Sequence, residues 1–292
     1  MAGAQRTRTD PLHRPVLFVN PSSGGGAAAR GRIAERARER DIEVVPLRPD
    51  HGLDRAIAEA VEGGADALGI AGGDGSISSV AAAAWRRRLP LVCVPAGTRN
   101  HFARDLGLDP AVPATALDAF TDGTEVGIDV GTVNGRLFLN VVSLGIYGEA
   151  VRQPAYRDAK LRTLIETARA VLGPGREIPS LNLVDDRGVK HEGLAVVLVS
   201  NNPYALARPP ASHGARPTLT SGRLGIIVVG KPARRGHQPG RSWGAPSLEV
   251  DAAARIHAGL DGEAVELDPP LRFEIQPGAL RVRVPRSIVR AG

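Results

Sequence analysis

A single cysteine in 292 residues, Cys93, excludes an internal disulfide and a thiolate zinc site, and suits a reducing compartment. Aromatic residues are only 3% of the chain, too few to stack single-stranded nucleic acid. No apolar run approaches the roughly 20 residues that span a bilayer, so a soluble protein is expected. Met1 to Pro15 carries Arg6, Arg8 and Arg14 without an apolar stretch, unlike a signal peptide, and reads as a disordered tail. Lysine is scarce too, at positions 160, 190 and 231 alone, so arginine carries the net charge of +6. Such charge suits anionic lipid or nucleic acid, although a chain this rich in arginine, alanine and glycine also fits a coding bias. His-Glu-x-x-His is missing, which removes the usual zinc protease signature.

What is present points to two domains, a division the length allows. From Val16 to about Thr121, short apolar runs at 16–19, 42–47, 67–71 and 91–94 alternate with helical stretches at 28–39, 53–62, 77–87, 100–106 and 111–121. This alternation predicts a doubly wound, Rossmann-like α/β domain with a parallel sheet. After Gly123 come many short β-rich runs separated by Gly, Pro and Asn, the last two at 271–275 and 280–284, the texture of an antiparallel β-sandwich. Residues 157–172 form the one clear helix of this half, and 205–217, dense in Pro, Ala, Arg and Gly, reads as a loop.

Chemistry concentrates in loops that follow strand ends. Gly72-Gly-Asp-Gly-Ser76 lies between an apolar run and a small-residue helix, so backbone N–H groups at the helix start suit a phosphate. The plain alternative is a turn whose glycines relieve strain. Asp74 is the odd member: an acid beside a phosphate cradle implies Mg²⁺ or a proton to be removed. Asn20-Pro-Ser-Ser-Gly-Gly-Gly26 and Pro95-Ala-Gly-Thr-Arg-Asn-His-Phe-Ala-Arg104 follow other strands, and carboxyl-end loops of a parallel sheet converge on one crevice.

Asn20-Pro-x-Ser-Gly24, Gly72-Gly-Asp-Gly75, Gly97-Thr-x-Asn-x-Phe-Ala103, Ile128-Asp-x-Gly131 and Leu260-Asp-Gly-Glu263, in this order, resemble the diacylglycerol kinase catalytic-domain family. These soluble bacterial lipid kinases are related to sphingosine and ceramide kinases. The resemblance runs from about Val16 to Pro285 and implies an ATP- and Mg²⁺-dependent kinase acting on a lipid hydroxyl, with diacylglycerol the default acceptor. It implies an ATP-binding domain at 16–124, rejoined by about 276–292, and a lipid-binding sandwich at 125–275. ATP would be held by Asn20, Pro21, Ser22, Ser23, Gly24, Arg30, Gly72, Gly73, Asp74, Gly75, Ser76, Ser79, Gly97, Thr98 and Asn100. Glu263 is the expected proton acceptor, Asp261 its neighbour, and Asp74 and Asp129 act through Mg²⁺ and water. Asp261-Gly262 taken without the resemblance reads as a tight turn between strands. The implied partners are a lipid substrate at the membrane surface, transient contact with the inner face from the cytoplasm, and a homodimer, with no nucleic acid.

The chain departs from the family pattern in three places. His101 stands where relatives commonly carry an acid, Gly25 replaces a basic residue, and Thr220-Ser-Gly-Arg-Leu224 replaces an acidic stretch that supports a second metal, which is therefore expected to be missing. Gly225 to Lys231 has P-loop spacing, but Pro232 replaces the required Ser or Thr. An NAD kinase-like enzyme, which shares the Gly-Gly-Asp-Gly loop, and a catalytically silent nucleotide or lipid sensor are the competing expectations.

Overall fold

The computed structural model describes residues 6–7, 11–26, 28, 32–47, 52–145, 180–205, 216–230 and 240–290. The expected helix at 157–172, most of the 205–217 segment, Arg30 and Lys231 lie outside the described residues. Chain contacts divide the protein into Met1–Asp129 with Pro277–Gly292, and Val130–Gln276.

In the first unit, strands β1 (Arg6–Thr7), β2 (Pro15–Val19), β3 (Glu43–Pro46), β4 (Ala67–Gly72), β5 (Leu91–Pro95) and the start of β6 (Gly123–Val133), whose residues from Val130 on fall in the second unit, alternate with helices. These are α1 (Ile33–Arg38), α2 (Leu53–Glu62), α3 (Asp74–Arg87), α4 (His101–Asp105) and α5 (Asp118–Thr121). Every residue of β2, β4 and β5 is buried, which is why these strands are continuous apolar runs rather than alternating ones. The sheet runs β3-β2-β4-β5, all parallel. One expectation needs correcting: the first 15 residues are not a wholly disordered tail. Arg6–Thr7 pairs antiparallel with Glu125 and Val126, because the edge of β6 offers backbone groups that a short strand can satisfy.

The second unit is antiparallel. Its strands are β7 (Arg136–Phe138), β8 (Val141–Gly145), β9 (Leu181–Asp185), β10 (Lys190–Asn201), β11 (Leu224–Gly230), β12 (Arg241–Ala245), β13 (Ser247–Asp251), β14 (Ile256–Leu260) and β15 (Glu263–Leu267). Long β10 pairs with β8, β9 and β11 along its length, and Phe138, Leu144, Val197, Val199, Leu224 and Phe273 fill the core beneath. Phe138 meets Phe273 edge-on, with ring centroids 6.3 Å apart. Gly225 to Gly230 is β-strand, so the P-loop spacing carries no phosphate loop.

Strand β16 (Leu271–Pro285), followed by α6 (Arg286–Arg290), belongs to both units. Its first half pairs with β13, and its second half adds a parallel strand beside β5. Two arginines secure that second half. Arg281 pairs with Glu125 and donates to the Arg88 carbonyl at 2.9 Å, while buried Arg283 donates to the Ala119 carbonyl at 3.1 Å. Among the described residues, no helix is long and apolar enough to cross a membrane.

Candidate active site

After β2 the chain turns to β3 on one flank and returns to β4 on the other, so the winding reverses between β2 and β4. Open α/β sheets bind ligands beyond the carboxyl ends of strands at such a point. The Asn20 loop leaves β2 there, the Gly72 loop leaves β4, and the Ala96 loop leaves the neighbouring β5.

These loops meet through bare backbone. Gly24 has φ of 57°, and the Ala96 carbonyl oxygen lies 2.5 Å from where its Cβ would project. Gly97 packs against the Cα of Gly73, so a methyl group there would collide with backbone, with the Gly73 nitrogen 3.1 Å away. The Asn20 N–H donates to the Ala71 carbonyl at 3.0 Å, and the Asn20 Oδ1 accepts from the Ser22 N–H at 3.1 Å. Pro21, Ser22 and Thr98 are exposed, while Ser23, Ser76 and Ser79 are half-buried.

Helix α3 begins at Asp74, three residues earlier than the apolar pattern indicates, with Gly73 as its N-cap. The first turn of a helix leaves N–H groups without intrahelical partners, so Asp74, Gly75 and Ser76 present a positive end to an anion. The Asp74 carboxylate also reaches α4, where Oδ2 accepts from the His101 N–H at 3.3 Å and Oδ1 from the Phe102 N–H at 3.2 Å. It therefore links the first turns of α3 and α4. The His101 side chain is exposed.

Asn100 has a structural job within its own loop. With φ of 55° and 3% exposure, it accepts from the Gly97 N–H and donates to the Gly97 carbonyl, both at 2.8 Å. Its amide thus clamps the third loop from within.

Cys93 sits in β5 directly below these loops and is buried. Burial, reinforced by the Asp74 carboxylate, pushes its thiol well above the ordinary range. A thiol reagent at pH 8 is expected to leave native Cys93 unmodified and to label it fully in denaturant; rapid labelling of the folded protein would show that β5 opens locally.

The remaining acids are spread along the chain. Asp129, 2% exposed, accepts from the Gly278 N–H at 2.9 Å and so anchors the irregularity at φ 61° within β16. Two residues on, Gly131 faces the Phe138 ring, which occupies the space of a missing side chain. Asp261 and Gly262, with φ of 51° and 92°, form the two-residue turn between β14 and β15. The Asp261 carboxylate, in a residue 9% exposed, accepts three backbone N–H groups: Leu139 at 2.8 Å, Asn140 at 2.7 Å and Val141 at 3.1 Å. Glu263 is exposed at the start of β15. No group of three His, Cys, Asp or Glu side chains among the described residues is placed to hold a metal.

One residue drew no attention in the sequence. Arg216, 4% exposed, donates to the Leu139 and Asn201 carbonyls and to the Asn140 Oδ1. It lies in a Pro-, Ala- and Gly-rich stretch that reads as a loop, and no spacing singles it out.

Residues 14–133 match the family model described as diacylglycerol kinase catalytic domain. The chain is 30% identical over 303 residues to the "Probable lipid kinase YegS-like" protein of Pseudomonas aeruginosa strain UCBPP-PA14, an alignment covering 92% of this chain and 94% of that one. It belongs to the diacylglycerol kinase catalytic-domain family. Membership places this lipid kinase family member among phosphotransferases with an alcohol acceptor. The "Diacylglycerol kinase" of Mycobacterium tuberculosis strain CDC 1551 is 36% identical over 135 residues, 44% of this chain and 43% of its own length. A crystal structure of a diacylglycerol kinase from Bacillus anthracis strain Sterne has the same fold, with a TM-score of 0.67 at 18% identity, over 96% of this family member and all of the other chain.

Proposed function

We propose that the protein is an ATP- and Mg²⁺-dependent kinase that transfers the γ-phosphoryl group to a lipid hydroxyl, with diacylglycerol as the default acceptor. The observation that carries this reading is the backbone meeting of Gly24, Ala96, Gly97 and Gly73 at the reversal of the sheet, beside the first turn of α3. Such a surface lets phosphate oxygens approach N–H groups with no side chain in the way. Asn20 to Gly24, Gly72 to Ser76, Ser79, Gly97, Thr98 and Asn100 are the proposed nucleotide contacts, with Asn100 also shaping the third loop. Arg30 remains part of the proposal on sequence grounds alone.

Mg²⁺ fits this donor set as an ion carried by the nucleotide. Nucleotide-bound Mg²⁺ needs one or two carboxylates together with phosphate oxygens and water, rather than a cage of protein ligands. Asp74 supplies such a carboxylate, since each of its oxygens accepts one N–H and a carboxylate has about four acceptor sites. Asp129 is the other acid proposed to act through Mg²⁺ and water; its buried carboxylate also accepts from the Gly278 N–H. When bound, the ion would neutralise phosphate charge.

Phosphoryl transfer asks the protein mainly to position its reactants and to accept one proton from the attacking hydroxyl. Glu263 is the proposed acceptor because its exposed carboxylate is open to a substrate, whereas the Asp261 carboxylate already serves three N–H groups. The test is incubation with γ-labelled ATP, Mg²⁺ and mixed micelles of a total lipid extract, followed by identification of labelled lipid. Labelled lipid is expected from the wild type and about a hundredfold less from Glu263→Ala. An unlabelled organic phase despite measurable ATP binding would sink the lipid-kinase reading.

A further inference from the structure

We infer that Arg216 is a positioning residue for the Asp261–Gly262–Glu263 turn, an inference that rests on the proposed role of Glu263. The backbone from Leu139 to Val141 is gripped by two charged side chains of opposite sign. Asp261 takes its three N–H groups, at 2.7 to 3.1 Å. Arg216 takes the carbonyl of Leu139 and the Oδ1 of Asn140, the latter at 3.0 Å, and adds the Asn201 carbonyl at 2.8 Å.

The guanidinium is held in its turn. Its carbon lies 6.0 Å from the centre of the Tyr204 ring. Asn201 donates to the Leu139 carbonyl at 3.3 Å, Asn202 donates to the Asn201 Oδ1 at 3.1 Å, and Ser221 donates to the Asn202 Oδ1 through both its N–H and its hydroxyl. The Asp261 N–H donates to the Val141 carbonyl at 3.0 Å, so the turn is bound to the gripped segment through both side chain and backbone.

A buried arginine is difficult to place unless its planar fork meets fixed acceptors, and lysine, a point charge on a flexible stem, cannot reproduce three contacts made from two nitrogens of one fork. Loss of the fork therefore frees the Leu139–Val141 backbone, and with it the orientation of the turn that presents Glu263. Misplacement on this scale lowers turnover without removing a group from the reaction.

Arg216→Lys and the milder Asn140→Ala, which removes one acceptor and leaves the buried cation in place, are compared with the wild type. Hydrogen exchange at the amides of residues 139 to 141 is expected to accelerate about tenfold or more in Arg216→Lys and by less in Asn140→Ala, with thermal unfolding still cooperative. The kcat for lipid phosphorylation is expected to fall about tenfold to a hundredfold, while the KM for ATP stays within about twofold. Unchanged exchange in both variants overturns the inference whatever the activity shows. So does a loss of kcat matched by an equal loss of folded protein. Wild-type protein inactive on every lipid would defeat the kinase reading separately, because the exchange measurement does not depend on turnover.

Discussion

Gly97→Ala is expected to leave a folded protein whose affinity for ATP is lower by about a hundredfold or more. The new methyl group would meet the Cα and nitrogen of Gly73, which are backbone atoms with no rotamer to change. Overpacking of this kind costs about 1–3 kcal/mol when surroundings can shift. Here relief requires the Gly97 loop to part from the Gly73 loop, so the N–H groups of both would no longer point at one phosphate. Hydrogen bonds to a charged group contribute about 1.5–3 kcal/mol each, and every 1.4 kcal/mol is tenfold in affinity. Calorimetric titration with ATP and Mg²⁺ measures the effect directly. Binding within about threefold of the wild type would mean that phosphates sit elsewhere.

Asp261→Ala is the second large effect, and it falls on stability as much as on turnover. The substitution removes the acceptor of three N–H groups in a segment whose Leu139 and Asn140 are buried. A stranded buried donor costs about 1–3 kcal/mol. Water entering at the turn offsets part of that sum, and a net loss of about 3–5 kcal/mol is expected, a large share of the 5–15 kcal/mol that holds a typical domain together. Urea unfolding with secondary structure as the signal should show the midpoint falling sharply. Asp261→Asn, which keeps one acceptor oxygen, should lie between. Equal midpoints for the alanine variant and the wild type would remove Asp261 from its place as an anchor.

These two residues also mark where sequence reasoning reached and where it stopped. The buried strands Pro15–Val19, Ala67–Gly72 and Leu91–Pro95 are legible because apolar runs bounded by glycine and asparagine carry their own signal. Asp261-Gly262 is legible as a turn for the same local reason. What its carboxylate does is not, since its partners lie about 120 positions earlier and nothing near either site announces the other. Arg216 is hidden similarly, in a stretch whose composition indicates only a loop. Residues 271–275 and 280–284 read as separate strands because Pro277 and Gly278 resemble turn punctuation. They form one strand, with the irregularity at Gly278 held by Asp129 from β6. Asn100 shows the converse: its motif was plain, but whether its amide faces a ligand or its own loop depends on a φ of 55° that no sequence pattern specifies.

The order of synthesis on the ribosome gives β16 a further significance. Strand β5, which carries the Gly97 loop, has β4 on one side and gains its second neighbour only when Val282 and Arg283 have been made. At about 5–20 residues per second, the growing chain spends roughly 8 to 30 seconds with that edge of β5 uncovered after Asp129 has emerged. The first unit to begin synthesis is thus the last to be completed, and a nascent chain halted anywhere in Val130–Gln276 would present an open parallel edge to chaperones and to its neighbours on the polysome.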